Sequence, residues 1–166
     1  MRERDYGYVA ATFSGKDIEP FQKLTGEICA KKDLYHSETV NYTNGDVSSN
    51  LHFNIFYGLI DEQIDKEKLQ AHIDQLQLDK LRLGELFLRQ TPDNKYQILW
   101  VMVADDEDKL KEITESFKAF KHDESVQLEF MPHLTLAYVR PKYRLGDLTL
   151  NYPKEIKVEK IQYFEK

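Results

Sequence analysis

Two stretches of this chain repeat one layout. The first reads as a strand over residues 6–13 (YGYVAATF), a helix over 15–32 and a strand carrying Leu51-His52-Phe53-Asn54-Ile55. The second reads as a strand over 96–104 (YQILWVMVA), a helix over 106–121 and a strand over 131–139 carrying His133-Leu134-Thr135-Leu136. Each unit therefore sets a His-x-polar-apolar tetrad on the strand that follows its helix. Similarity between the units is low, so layout is repeated rather than sequence.

Side chains alternate across a strand, so His52 shares a face with Asn54, and His133 with Thr135. Leu51, Phe53 and Ile55, like Leu134 and Leu136, point the other way and can pack on helices. A pseudo-two-fold relating the units would bring the two polar faces together, and both strands are expected to run centrally in their sheets. Two facing imidazoles suit proton transfer at a phosphodiester. One, neutral, takes a proton from an attacking hydroxyl or water, and the other, charged, returns one to the leaving oxygen. The Thr135 hydroxyl and Asn54 amide can donate hydrogen bonds to phosphate oxygens without a metal.

The pair resembles the HxTφ/HxSφ signature of the 2H phosphoesterase superfamily, relatives of the 2′-5′ RNA ligase-like and cyclic phosphodiesterase proteins. Pro132 before the second motif is similar to that family as well, as is the strand pair between the motifs that contains Leu83 and Val103. Position 54 departs from the pattern, with Asn where the family has Thr or Ser. The resemblance implies an α+β fold: a duplicated, bilobal β-α-β layout with two antiparallel-rich sheets around a central cleft and helices outside. It implies metal-independent hydrolysis of a small nucleotide or an RNA end, with a 2′,3′-cyclic phosphate, a 2′-5′ linkage or a cyclic oligonucleotide as substrate. His52 and His133 are then the acid and base, and Asn54 and Thr135 hold the phosphate. A non-catalytic nucleotide- or RNA-binding module on the same fold is the second reading, motivated by Asn54.

The remaining elements are read from periodicity. Leu69, Ile73 and Leu76 mark a helix over 64–77, and Leu81, Leu83 and Leu86 a strand ending near Gln90. Residues 96–104 are nearly all apolar, which suits a central strand. Asp105, Asp106, Glu107 and Asp108 load the first turn of the 106–121 helix with charge its N-terminus favours. Residues 156–164 read as one last strand, and 34–50 as a lid or a hairpin excursion around Asn44-Gly45. Arg140, Lys142 and Arg144 form a basic loop after the second motif that could attract phosphate, with Tyr143 placed to stack on a base. Tyr57 and Tyr138 lie five residues after their histidines, so alternation assigns them to the core side. His72 reads as a packing residue at a helix boundary, His122 as a helix-end complement, and His36 as a loop residue.

Composition bounds the rest. The chain has 166 residues with 41% apolar content and a net charge of −6, enough to bury a core as one domain over 1–166 with two lobes. An acidic chain is a poor match for duplex DNA, whose binding needs many phosphate contacts from Lys and Arg. No stretch approaches the ~20 apolar residues that span a bilayer, and Met-Arg-Glu-Arg-Asp is not followed by the apolar run of a signal peptide. Cys29 is the single cysteine, so neither a disulfide framework nor a cysteine zinc site is expected. No metal and no cofactor are expected, the setting is expected to be cytoplasmic, and the working unit a monomer.

Overall fold

Two antiparallel sheets, one of three strands and one of four, account for the architecture of the computed structural model, which describes residues 5–35, 45–146 and 150–166. In chain order the elements are β1 (Gly7–Thr12), α1 (Gly15–Ile28), β2 (His52–Leu59), α2 (Lys66–Asp74), β3 (Lys80–Gln90), β4 (Gln97–Val103), α3 (Lys109–Ser116), β5 (His133–Val139), β6 (Glu155–Lys157) and β7 (Lys160–Phe164). The first sheet runs β2-β1-β7 and the second β5-β4-β3-β6. The fold is α+β. Buried side chains from both sheets, among them Val9, Phe53, Phe56, Leu99, Val101, Leu134 and Leu136, form one contiguous cluster with Phe21, Leu24 and Phe117.

The helices tie the two sheets together. Helix α1 packs against β5 of the second sheet, and α3 against β2 of the first. Ser14 caps α1, its Oγ accepting from the Asp17 backbone N–H at 3.2 Å, which satisfies one of the unpaired donors of the first turn. It continues through Pro20 and stops at Ile28, short of Lys32.

Two further elements, α3 and the tail, differ from the sequence reading. Residues 106–108 do not open α3: Glu107 and Asp108 both have φ of 58°. Glu107 and Asp108 form a left-handed turn ahead of the helix instead. Asp105 alone reaches the helix start, its carboxylate accepting from the Leu110 N–H at 2.7 Å and the Lys111 N–H at 3.2 Å. The far end is also shorter, with residues 117–119 in a 3₁₀ turn. The tail is two strands rather than one, since β6 pairs with β3 and β7 with β1. Residues 155–164 thereby join both sheets, and the Val158 N–H donates to the Asp79 carbonyl while the Glu159 N–H donates to that of Thr12.

Candidate functional site

His52 opens β2 and His133 opens β5, and these are edge strands rather than central ones. The two edges lie against each other, so both histidines sit at the junction of the sheets. Several backbone groups on the outer edges of these strands are bonded by neighbouring segments, which satisfies peptide groups that the ladders leave free. On β5, Val47 N–H donates to Leu136 O at 3.0 Å and Tyr138 N–H to Gly45 O at 2.7 Å. On β2, Asp123 N–H donates to Gly58 O at 2.9 Å and Gln127 Nε2 to Tyr57 O at 2.8 Å.

Both rings are held in the same way. His52 Nδ1 lies 2.8 Å from Asn50 O, and His133 Nδ1 lies 2.6 Å from Met131 O, each carbonyl two residues upstream of its histidine. A carbonyl only accepts, so Nδ1 carries the proton in each ring. The basic nitrogen of the neutral form is then Nε2.

The strands share one more irregularity. In the β1–β2 ladder Ala10 faces Asn54 and Val9 faces Phe56, so Ile55 is an extra residue. In the β4–β5 ladder Trp100 faces Thr135 and Leu99 faces Ala137, so Leu136 is extra. Each bulge falls three residues after its histidine. The carbonyl of each extra residue is satisfied from outside the ladder, Ile55 O by Thr114 Oγ1 at 3.0 Å and Leu136 O by Val47 N–H. A bulge adds one to the residue count along a strand, so it inverts the alternation beyond it. Tyr57 and Tyr138, assigned to the core by spacing, therefore stand on the same faces as the histidines, and both are half-buried rather than buried. Tyr57 meets Tyr6 edge-on at 5.7 Å, and Tyr138 meets Tyr96 in the same manner at 5.6 Å.

Register completes each face. The His52 face of the first sheet presents Asn54 and Tyr57 on β2, Tyr8, Ala10 and Thr12 on β1, and Lys160, Gln162 and Phe164 on β7. The His133 face of the second presents Thr135, with Trp100 and Met102 on β4 and Phe87 on β3. Asn54 is exposed and Thr135 half-buried. The neighbour opposite each differs in size: Ala10 stands beside Asn54, and Trp100 beside Thr135.

Trp100 dominates the surroundings of His133. The two rings stack with centroids 3.7 Å apart and planes 16° from parallel, and the Arg89 guanidinium lies over the indole at 5.3 Å. Burial in this stack pushes the His133 pKa below its ordinary value. The Arg89 and His52 charges push the same way, and the Met131 carbonyl opposes them. At neutral pH His133 is therefore the unprotonated imidazole. The indole Nε1 is buried without a hydrogen-bond partner among the described residues, a cost of about 1–3 kcal/mol for a group of this kind.

The basic loop after β5 is arranged otherwise than its sequence suggested. Tyr143 is 7% exposed and its hydroxyl donates to Ile28 O at 2.5 Å, so its ring packs in the core instead of facing a base. Arg140 is paired with Asp33, Nε to Oδ1 at 2.9 Å, and holds that carboxyl below the usual carboxylate range. The Gln97 amide clamps the loop by donating to the carbonyls of Arg140, Pro141 and Tyr143 at 2.8–3.2 Å. Lys142 and Arg144 are left on its exposed side. Away from the site, His72 packs edge-on against Phe117 at 4.8 Å with Nε2 2.8 Å from Ser116 Oγ. His122 caps the Phe120 carbonyl through Nδ1 at 2.7 Å. His36 and Asn44, with most of the 34–50 segment, lie outside the described residues. Among the described residues no three His, Cys, Asp or Glu side chains are grouped to hold a metal, and no helix is long and apolar enough to cross a membrane.

Sequence reasoning missed Trp100, Arg89 and Phe87. Their nearness to His133 comes from β3–β4–β5 pairing, which no local spacing encodes. The two bulges had a visible trace, since the doublets Ile55-Phe56 and Leu136-Ala137 interrupt an otherwise alternating pattern.

No family model matches this sequence, and no curated protein does. Solved structures do match in fold. Escherichia coli LigT complexed with 3′-AMP superposes with a TM-score of 0.61 at 12% identity, covering 98% of this chain and 88% of that one. A crystal structure described as a phosphoesterase gives 0.59 at 11% identity over 96% and 87%. Kluyveromyces marxianus Usb1 with uridine monophosphate gives 0.52 at 12% identity over 81% and 72%. At these identities the likeness is one of fold.

Proposed function

We propose that this chain is a two-histidine phosphodiesterase of the 2H type, acting without a metal on a small nucleotide or an RNA end. The observation that carries the proposal is the matched setting of His52 and His133. Each opens a bulged edge strand, each has Nδ1 tied to the carbonyl two residues earlier, and the two strands adjoin. The LigT structures of the same fold hold phosphate, 3′-AMP, ATP or NADP⁺, which supports a nucleotide as the ligand here.

The roles follow from the environments. His133, kept neutral by burial against Trp100 and by the Arg89 charge, takes the proton from the attacking water at Nε2. His52, half-buried across the junction from it, gives its proton to the leaving oxygen as the phosphorus–oxygen bond breaks. The Asn54 amide and Thr135 hydroxyl donate to the non-bridging oxygens, where charge accumulates. Lys142 and Arg144 attract the anion from the adjoining loop, and the whole chain of two lobes serves as the working unit.

Incubation of the purified protein with 2′,3′-cyclic nucleotides, 2′-5′ oligoadenylate and cyclic dinucleotides in excess EDTA tests the assignment. Hydrolysis of one class is expected. A strict requirement for divalent metal contradicts the mechanism, and micromolar binding without turnover assigns the chain to the binding-module reading that Asn54 motivates.

A further inference from the structure

The second sheet carries a row of side chains that leads away from the candidate phosphate site. Thr135, Trp100 and Phe87 are directly opposite one another on β5, β4 and β3, so they share the face that His133 occupies. Adjacent strands are ~4.8 Å apart, which puts Phe87 about 10 Å from Thr135 across the sheet. Trp100 in the middle is only 6% exposed, whereas Phe87 at the end is 44% exposed. Its ring inclines to the indole at 34° with centroids 6.2 Å apart. Two residues along β3 and on the same face, Arg89 leans over Trp100. Phe87 and Leu128 are the large apolar side chains that stand exposed among the described residues. Phe87 alone of the two continues the candidate site.

We infer that Phe87 and Arg89 form a second nucleotide subsite, in which the nucleoside one linkage upstream of the one that bears the phosphate stacks its base on Phe87 while Arg89 faces the intervening backbone. An exposed ring beside a guanidinium is the combination that holds single-stranded nucleic acid, since every base has a stacking face and every linkage an anion. The separation from Thr135 exceeds the distance from a phosphate to its own base, so the row suits an oligonucleotide end rather than a mononucleotide. The position of the phosphate rests on the two-histidine reading above.

The test is by binding, so that it does not depend on turnover. Isothermal titration measures the affinity of wild-type protein, Phe87→Ala and Leu128→Ala for an RNA trinucleotide ending in a 3′-phosphate and for adenosine 3′-phosphate. Stacking of one base on an aromatic ring typically changes affinity about tenfold or more. Wild type is expected to prefer the trinucleotide by at least that factor, Phe87→Ala to lose most of the preference, and Leu128→Ala to keep it. Because Phe87 is exposed, its removal leaves the core intact, which a thermal melt verifies. Equal affinities in wild type, no binding of either ligand, or an unchanged preference in Phe87→Ala overturns the subsite. A protein that shows the preference yet hydrolyses nothing retains the subsite and loses the catalytic assignment.

Discussion

The imidazole of His133 lies flat against the indole of Trp100, 3.7 Å between ring centroids. Trp100 is the only tryptophan of the chain, so the residue that shields His133 from water also reports on it. An imidazolium in contact with an excited indole accepts an electron and quenches its emission, whereas the neutral ring does so far less.

Intrinsic fluorescence therefore titrates His133. Emission should fall on acidification with a midpoint below the ordinary imidazole value of about 6.5. His133→Gln should abolish the transition. Arg89→Gln removes a charge that opposes protonation and should move the midpoint upward. A transition unchanged in His133→Gln would assign it to another group.

Stability should follow the same proton. The unfolded chain binds a proton on His133 at higher pH than the folded chain does, so acidification favours unfolding. The contribution is complete above about pH 6.5 and is lost as pH falls through the lower folded value. Melting temperatures across this range should decline less in His133→Gln than in wild type.

The proposed phosphate donors, Asn54 and Thr135, can be separated from the histidines by substitution. Asn54→Ala and Thr135→Ala each remove one hydrogen bond to a charged group, worth about 1.5–3 kcal/mol, so kcat/KM should fall by about ten- to a hundredfold. Asn54→Thr restores a hydroxyl beside the small Ala10 and should keep or raise activity. Steady-state kinetics on the substrate found in EDTA give the comparison.

Gly58 holds β2 in a conformation other residues rarely adopt, with φ of 113°. An added Cβ would also approach Gln127 Nε2 and Val126 Cγ2 to 2.8 Å, disturbing the amide that bonds Tyr57 O. Gly58→Ala should lower unfolding free energy by about 1–3 kcal/mol, measured by urea denaturation.

Much of this arrangement was legible in the chain itself. The histidine tetrads, the strands that bear them and the apolar run that became β4 are local patterns, and local patterns survive into the fold. What was not legible depends on pairing. The edge position of β2 and β5 reflects which strands found partners, and the Phe87–Trp100–Thr135 row reflects register. The division of the tail between β6 and β7 reflects two sheets competing for one segment. Tyr57 and Tyr138 changed face because one inserted residue inverts a two-residue period. Tyr143 was misplaced because an aromatic beside cations looks like a binding surface until the Ile28 carbonyl and Gln97 amide are seen to draw it inward.

The central claim is that His52 and His133 act together on one phosphate, and the kinetics of their alanine variants test it most directly. With the preferred substrate in EDTA, His52→Ala and His133→Ala should each lower kcat/KM by ~10²–10⁴-fold. The double variant should be little worse than the poorer single one, as for groups that work as a unit. Wild-type turnover by His52→Ala, with the protein folded, would contradict the account.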